Sequence, residues 1–116
     1  MHKLHPGLTI RLFTEEKCFG PGVARLLRQV EQTHSLRAAA MSMQMAYSKA
    51  WTIVKKAERE LGFPLLHSTT GGRSGGGATL TAEAVRLLES YEAFCQDVND
   101  HASQAFQTRF SWLEQE

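Results

Sequence analysis

Ala46-Tyr47-Ser48-Lys49-Ala50-Trp51-Thr52-Ile53-Val54-Lys55-Lys56-Ala57-Glu58-Arg59-Glu60-Leu61 sets the frame for the rest of the chain. Stepping along it at about 100° per residue from Tyr47 separates two faces. Ala50, Val54, Ala57 and Leu61 fall in one narrow arc, with Tyr47 and Trp51 on one shoulder and Ile53 on the other. Ser48, Thr52, Lys55, Lys56 and Arg59 fall opposite, with Lys49 at their edge. Glu58 and Glu60 lie outside the centre of that polar face. The pattern predicts a helix with one core side and one side of hydroxyls and cations. Trp51 is expected in the core.

Upstream, Ser42 to Met45 reads as a brief turn. Ser35 is an N-cap for a short helix from Leu36 to about Met41, whose Ala38-Ala39-Ala40 run permits close helix approach. Before it, Val23, Leu26, Leu27 and Val30 follow the i, i+3, i+4, i+7 pattern of a first helix, while Arg25, Arg28 and Glu31 face water. That helix is expected to stop near Thr33-His34. Gly20-Pro21-Gly22 is strong punctuation, and Pro21 suits a first helical turn. Thr14 to Gly22 is expected as a loop, and Leu8 to Phe13 as a short strand.

Downstream, Gly62 ends the third helix. Pro64 to Thr70 reads as a strand, and Ala78-Thr79-Leu80 as a second one. Between them, Gly71 to Gly77 holds five of the nine glycines. Thr81 is an N-cap for a long fourth helix. Ala84, Leu87, Leu88, Tyr91, Phe94, Cys95, Val98, Ala102, Ala105 and Phe106 step along it by threes and fours, past residue 105. This stripe is longer than a compact core requires, which points to dimerisation.

The order of elements is that of a winged helix-turn-helix: mainly α, with a small β-hairpin and a long C-terminal dimerisation helix. Residues 1–80 hold the strand and the winged helix-turn-helix. Residues 81–116 hold the long helix and an acidic tail, within the same single domain. The major groove of DNA admits one α-helix, so a polar, cationic face on an otherwise buried helix suits a reader of double-stranded DNA. Ser48, Lys49 and Thr52, near the N-terminal end, are expected to reach base edges. Lys55, Lys56 and Arg59 are expected on phosphates. Arg73, with Ser74 beside it at the glycine-rich tip, is expected on the backbone or in the minor groove. Ser35, heading the short helix, completes this set.

Charge supports the same reading. The net charge is only +1, but it is segregated. Residues 1–80 carry eleven Lys/Arg against five Asp/Glu, and residues 81–116 carry two against seven. Positive charge therefore sits where phosphates would lie. The composition is 42% hydrophobic, which is that of a folded chain. No apolar run approaches the ~20 residues of a membrane span. Met1 to Ile10 lack the features of a secretory signal, so the expected location is the cytoplasm. Cys18 and Cys95 fit neither a disulfide scaffold nor a zinc motif. His2, His5, His34, His67 and His101 are scattered, and Asp97 and Asp100 are the only aspartates. No catalytic grouping results, so an enzyme is not expected, nor a cofactor or metal. Gly71 to Gly77 lacks the Gly-Lys-Ser/Thr ending of a phosphate-binding P-loop.

Three stretches carry a resemblance. They are Ser35-Leu36-Arg37-Ala38-Ala39-Ala40, then Met45-Ala46-Tyr47-Ser48-Lys49-Ala50-Trp51, then Thr70 to Thr81. Together they are similar to the N-terminal DNA-binding domain of the ModE family of molybdate-responsive transcriptional regulators, itself distantly similar to the LysR-type helix-turn-helix. The resemblance spans Leu8 to about Val98. It implies a homodimer through the N-terminal strand and the long helix, an operator of inverted half-sites, and a role for Tyr47 at the start of the recognition helix. Members of that family often place a basic residue directly after this Tyr; here Ser48 intervenes before Lys49, so base preference is expected to differ. The family's C-terminal oxyanion-binding domains have no counterpart before Glu116, so molybdate sensing is not carried over. Two alternatives stand beside a regulator: a winged-helix protein-interaction module, and a small metal- or oxyanion-sensing switch.

Overall fold

The computed structural model describes residues 3–69 and 77–114. Two short strands open it, β1 (Leu12–Phe13) and β2 (Lys17–Phe19), paired antiparallel. Helices α1 (Pro21–Thr33), α2 (Leu36–Ser42) and α3 (Tyr47–Leu61) follow. A second antiparallel pair, β3 (Leu66–Thr69) and β4 (Gly77–Leu80), leads into α4 (Ala82–Phe110) and a 3₁₀ turn (Ser111–Glu114).

Local chemistry explains the boundaries. Pro21 occupies the first turn of α1, where its missing N–H is not needed. Ser35 Oγ accepts from Ala38 N at 3.0 Å and starts α2. Gly62 closes α3 at φ 87°, in the left-handed region that favours glycine. Thr81 starts α4: its buried Oγ1 accepts from Ala84 N at 3.0 Å and donates to Pro64 O at 2.8 Å. Its own N–H reaches Leu65 O at 3.0 Å. One residue thus joins the base of the β3–β4 hairpin to the head of α4.

The core lies among α1, α2, α3 and the first turns of α4. Leu26, Leu27, Val30, Ala39, Ala40, Ala50, Val54, Ala57, Leu65 and Leu88 are buried. Phe19 is wholly buried and meets Tyr91 edge-on, ring centroids 5.1 Å apart. Tyr91 Oη donates to Ile10 O at 2.7 Å and holds the N-terminal segment against α4. Burial, with Cys95 beside it, pushes the Tyr91 phenol up to about 12.

Two expectations about the N-terminus are corrected. The strand expected over Leu8 to Phe13 contracts to Leu12–Phe13, because its partner is only three residues long. That partner, Lys17–Phe19, falls in the stretch expected as a loop. Burial of Cys18 and Phe19 makes it a strand, and Gly20-Pro21 ends it.

Helix α4 leaves the core partway along its length. Its 29 residues span about 43 Å, and the radius of gyration is 18.2 Å against about 13 Å for a compact chain of this size. Beyond Tyr91, Phe94 and Phe110 are exposed.

Arg28 fastens α1 to α4. It donates to Glu92 through Nε (3.1 Å) and Nη2 (2.6 Å), and to Glu31 through Nη1 (2.8 Å). The guanidinium holds the Glu92 carboxyl below the usual carboxylate range. This stabilisation is present above the unfolded carboxylate pKa of about 4.3 and is lost as pH falls through the lower folded value. Because the pair is half-exposed, it is worth under about 1 kcal/mol. We expect Glu92→Gln to destabilise the fold at pH 7 and to become neutral only at an acid pH below the lowered folded value. Urea unfolding at both pH values checks this; an equal loss at both would contradict the ionic origin.

Candidate nucleic-acid interface

The turn between α2 and α3 is tight. Met43 N and Met45 N both donate to Ala40 O, and Gln44 adopts φ 55°. Ala39, Ala40, Ala50 and Ala57 are small and buried, so the two helices pack closely. This locks α3 with one face inward and leaves the other outward.

The inward face is Ala50, Val54 and Ala57, with Leu61 half-buried at the end. Ser48, Lys49, Thr52, Lys55 and Arg59 are exposed, and Lys56 is half-buried. The hydroxyl and cationic residues thus share one side of α3. Ala46 offers no side-chain cap, so the first N–H groups of α3 stay open beside Ser48 and Lys49.

Each cation has its own setting. Lys55 Nζ lies 3.3 Å from Glu58 Oε1 and 5.6 Å from the Trp51 ring centroid. Lys56 Nζ is 3.8 Å from Glu16 Oε1, and Arg59 Nε is 3.9 Å from Glu60 Oε2. The cations of these pairs are solvent-accessible, so each can turn to a phosphate. Lys49 has no acidic partner among the described residues. Thr52 Oγ1 donates to Ser48 O at 2.9 Å, which fixes its rotamer and leaves its lone pairs outward.

Trp51 is a correction. It is 48% exposed, not core. The space beneath α3 is already filled by Ala50, Val54 and Ala57. The indole instead lines a cavity of about 380 Å³ between α2, α3 and the β3–β4 hairpin. Tyr47, Lys55 and Arg37 line the same cavity, and Arg37 Cζ sits 4.2 Å from the Tyr47 ring centroid. Ser35 lies at its edge, half-buried and engaged in capping α2.

Three contributors escaped the sequence reading. Arg37 stands in the first turn of α2, ten residues before Tyr47, and meets it only because the turn between the two helices folds α2 back onto the head of α3. Trp51 borders the apolar arc on the helical wheel yet lies outside the core. Glu58 binds the backbone: its Oε2 accepts from Leu65 N at 2.7 Å and Leu66 N at 3.4 Å. It thereby sets the start of β3 against α3. Nothing in the sequence pattern marked that contact.

At the hairpin, Gly77 is required by space. A Cβ there would stand 2.7 Å from Thr69 Oγ1 and 2.9 Å from His34 O. Ala78 N donates to His34 O at 2.9 Å, so the start of β4 is pinned to the end of α1. Arg73 and Ser74, expected at the tip, lie outside the described residues. Among the described residues, no group of three His, Cys, Asp or Glu could hold a metal ion, and no helix is long and apolar enough to cross a membrane.

Comparison with known proteins agrees with this architecture. Transcriptional regulator ModE of Haemophilus influenzae is 35% identical over 95 residues, which cover 82% of this chain and 36% of that protein. The molybdenum-pterin-binding protein MopB of Rhodobacter capsulatus is 35% identical over 68 residues, covering 59% and 25%. The DNA-binding transcriptional dual regulator ModE of Escherichia coli is 30% identical over 90 residues, covering 77% and 34%. The chain spans about a third or less of the length of these relatives. Residues 23–85, from α1 through the hairpin into α4, match the bacterial regulatory helix-turn-helix proteins of the LysR family, and the chain belongs to that family.

Proposed function

We propose that the chain is a DNA-binding transcriptional regulator, or the DNA-binding part of one, acting in the cytoplasm as a homodimer on an operator of inverted half-sites. The observation that carries this is the outward face of α3. A helix braced by α2 presents Ser48, Lys49, Thr52, Lys55, Lys56 and Arg59 together, in the arrangement that fits a major groove. Tyr47 and Arg37 flank its N-terminal end, and Ser35 begins the helix that braces it. The β3–β4 hairpin, carrying Arg73 and Ser74, is the wing and meets backbone or minor groove.

Fluorescence anisotropy with genomic duplexes at two salt concentrations tests the reading. Binding should weaken steeply with salt. No binding at low salt, or binding indifferent to salt, would overturn it. Within α3, Thr52→Ala and Lys49→Ala should change which duplexes bind best, at about 1–3 kcal/mol per lost base contact. Competition across a panel of duplexes measures this, and a uniform loss on all of them would contradict a base-reading role.

The homodimer draws support from two features. Phe94, Phe110, Trp112 and Leu113 are exposed along α4 and the turn after it. Leu8 to Arg11 has no strand partner among the described residues, and Leu8 is exposed. A second copy would cover both. Light scattering at micromolar concentration should report twice the 13.0 kDa of one chain; the single-chain mass would count against it.

A further inference from the structure

A second cationic surface lies on the opposite flank of α3 from Trp51. Arg11, Lys17, Lys49 and Lys56 line a cavity of about 470 Å³. They come from three places: the segment before β1, the strand β2, and two positions on α3. No acidic side chain lines the cavity. Glu16 reaches Lys56 at 3.8 Å from outside the lining. Elsewhere a structural cation is neutralised where it sits, as Arg28 is by Glu31 and Glu92. Arg11 and Lys17 have no such partner among the described residues. Converging like charges are favourable only when an anion joins them.

The position identifies the anion. On the helical wheel, Lys49 and Lys56 border Thr52, so the cavity adjoins the reading face. The major groove is about 12 Å wide and an α-helix with side chains about 10–12 Å. A helix seated in the groove therefore has a phosphate strand along each flank. Arg37 and Lys55 stand on one flank; the β1–β2 hairpin stands on the other. We propose that Arg11 and Lys17 make the N-terminal hairpin a second phosphate grip, binding the backbone strand on the side of α3 opposite the wing. This rests on the DNA-binding reading above.

The double variant Arg11→Gln/Lys17→Gln tests it, since both side chains are exposed and Gln keeps much of the apolar stem. The plot of log affinity against log salt should become shallower by roughly two units, about 0.9 per lost phosphate contact. The ranking of duplexes should not change. The charge-keeping variant Arg11→Lys/Lys17→Arg should restore the slope. Salt slope and affinity equal to wild type in the Gln variant would overturn the proposal while leaving the α3 reading intact. A wild type that binds no duplex would overturn both. Inorganic phosphate separates a backbone phosphate from a free anion. It should move the melting temperatures of wild type and Gln variant equally; a saturable shift confined to wild type would assign the pocket to the free anion and overturn the proposal.

Discussion

Phe19→Ala is expected to lower the unfolding free energy by about 3–5 kcal/mol, the range for truncating a fully buried Phe. Phe19 has no exposed surface and its ring abuts Tyr91. Strand β2, which carries it, packs against α1 and α3. Tyr91 in turn holds Ile10. The cavity would therefore open where hairpin, three-helix core and α4 meet, and the site has little freedom to collapse. Domains of this size have only about 5–15 kcal/mol to lose. The melting temperature should fall by roughly 10–25 °C, read by circular dichroism. A loss below about 1 kcal/mol would mean that the hairpin is detachable. Tyr91→Phe is the milder control: it keeps the ring contact and removes one hydrogen bond, worth about 1 kcal/mol.

The second large effect concerns binding. Replacing Lys55, Lys56 and Arg59 together by Ala should remove about three phosphate contacts. The salt slope should fall by roughly three units, and affinity near 0.1 M salt by two to three orders of magnitude on every duplex alike. Folding should be little changed, because the three cationic side chains removed are themselves 38–69% exposed. Anisotropy titrations over a salt series provide the measurement. A variant that kept the slope but altered the ranking of sequences would reverse the assigned division of α3, placing base contacts at its C-terminal end.

Much of the architecture was legible because it rests on local rules. Ser35, Thr81 and Gly62 mark helix ends through the backbone groups beside them, and each does so in the structure. The two faces of α3 follow from helical period alone. What period cannot supply is the identity of the neighbour on a shoulder. Trp51 stands at the border of the apolar arc, and its exposure is decided by how far the β3–β4 strands stand from α3. Likewise β2 is three residues long and is a strand because Phe19 has a distant partner, not because of local alternation. Glu58 meets Leu65 and Leu66 only after the chain doubles back through Gly62 to Pro64. The cationic pocket on the hairpin side joins residues 11, 17, 49 and 56, a grouping that no spacing rule announces.

The joint at Thr81 has a mechanical consequence. Its hydroxyl and amide fasten Pro64, Leu65 and Ala84 to one point, so hairpin and α4 meet at a pivot without a slack linker. Arg28–Glu92 and Tyr91–Ile10 brace α4 a few turns further on, and Ala78 N–His34 O braces β4. Strain applied to the outer turns of α4 is therefore absorbed at these braces before it reaches the joint, and the angle between hairpin and helix is preserved.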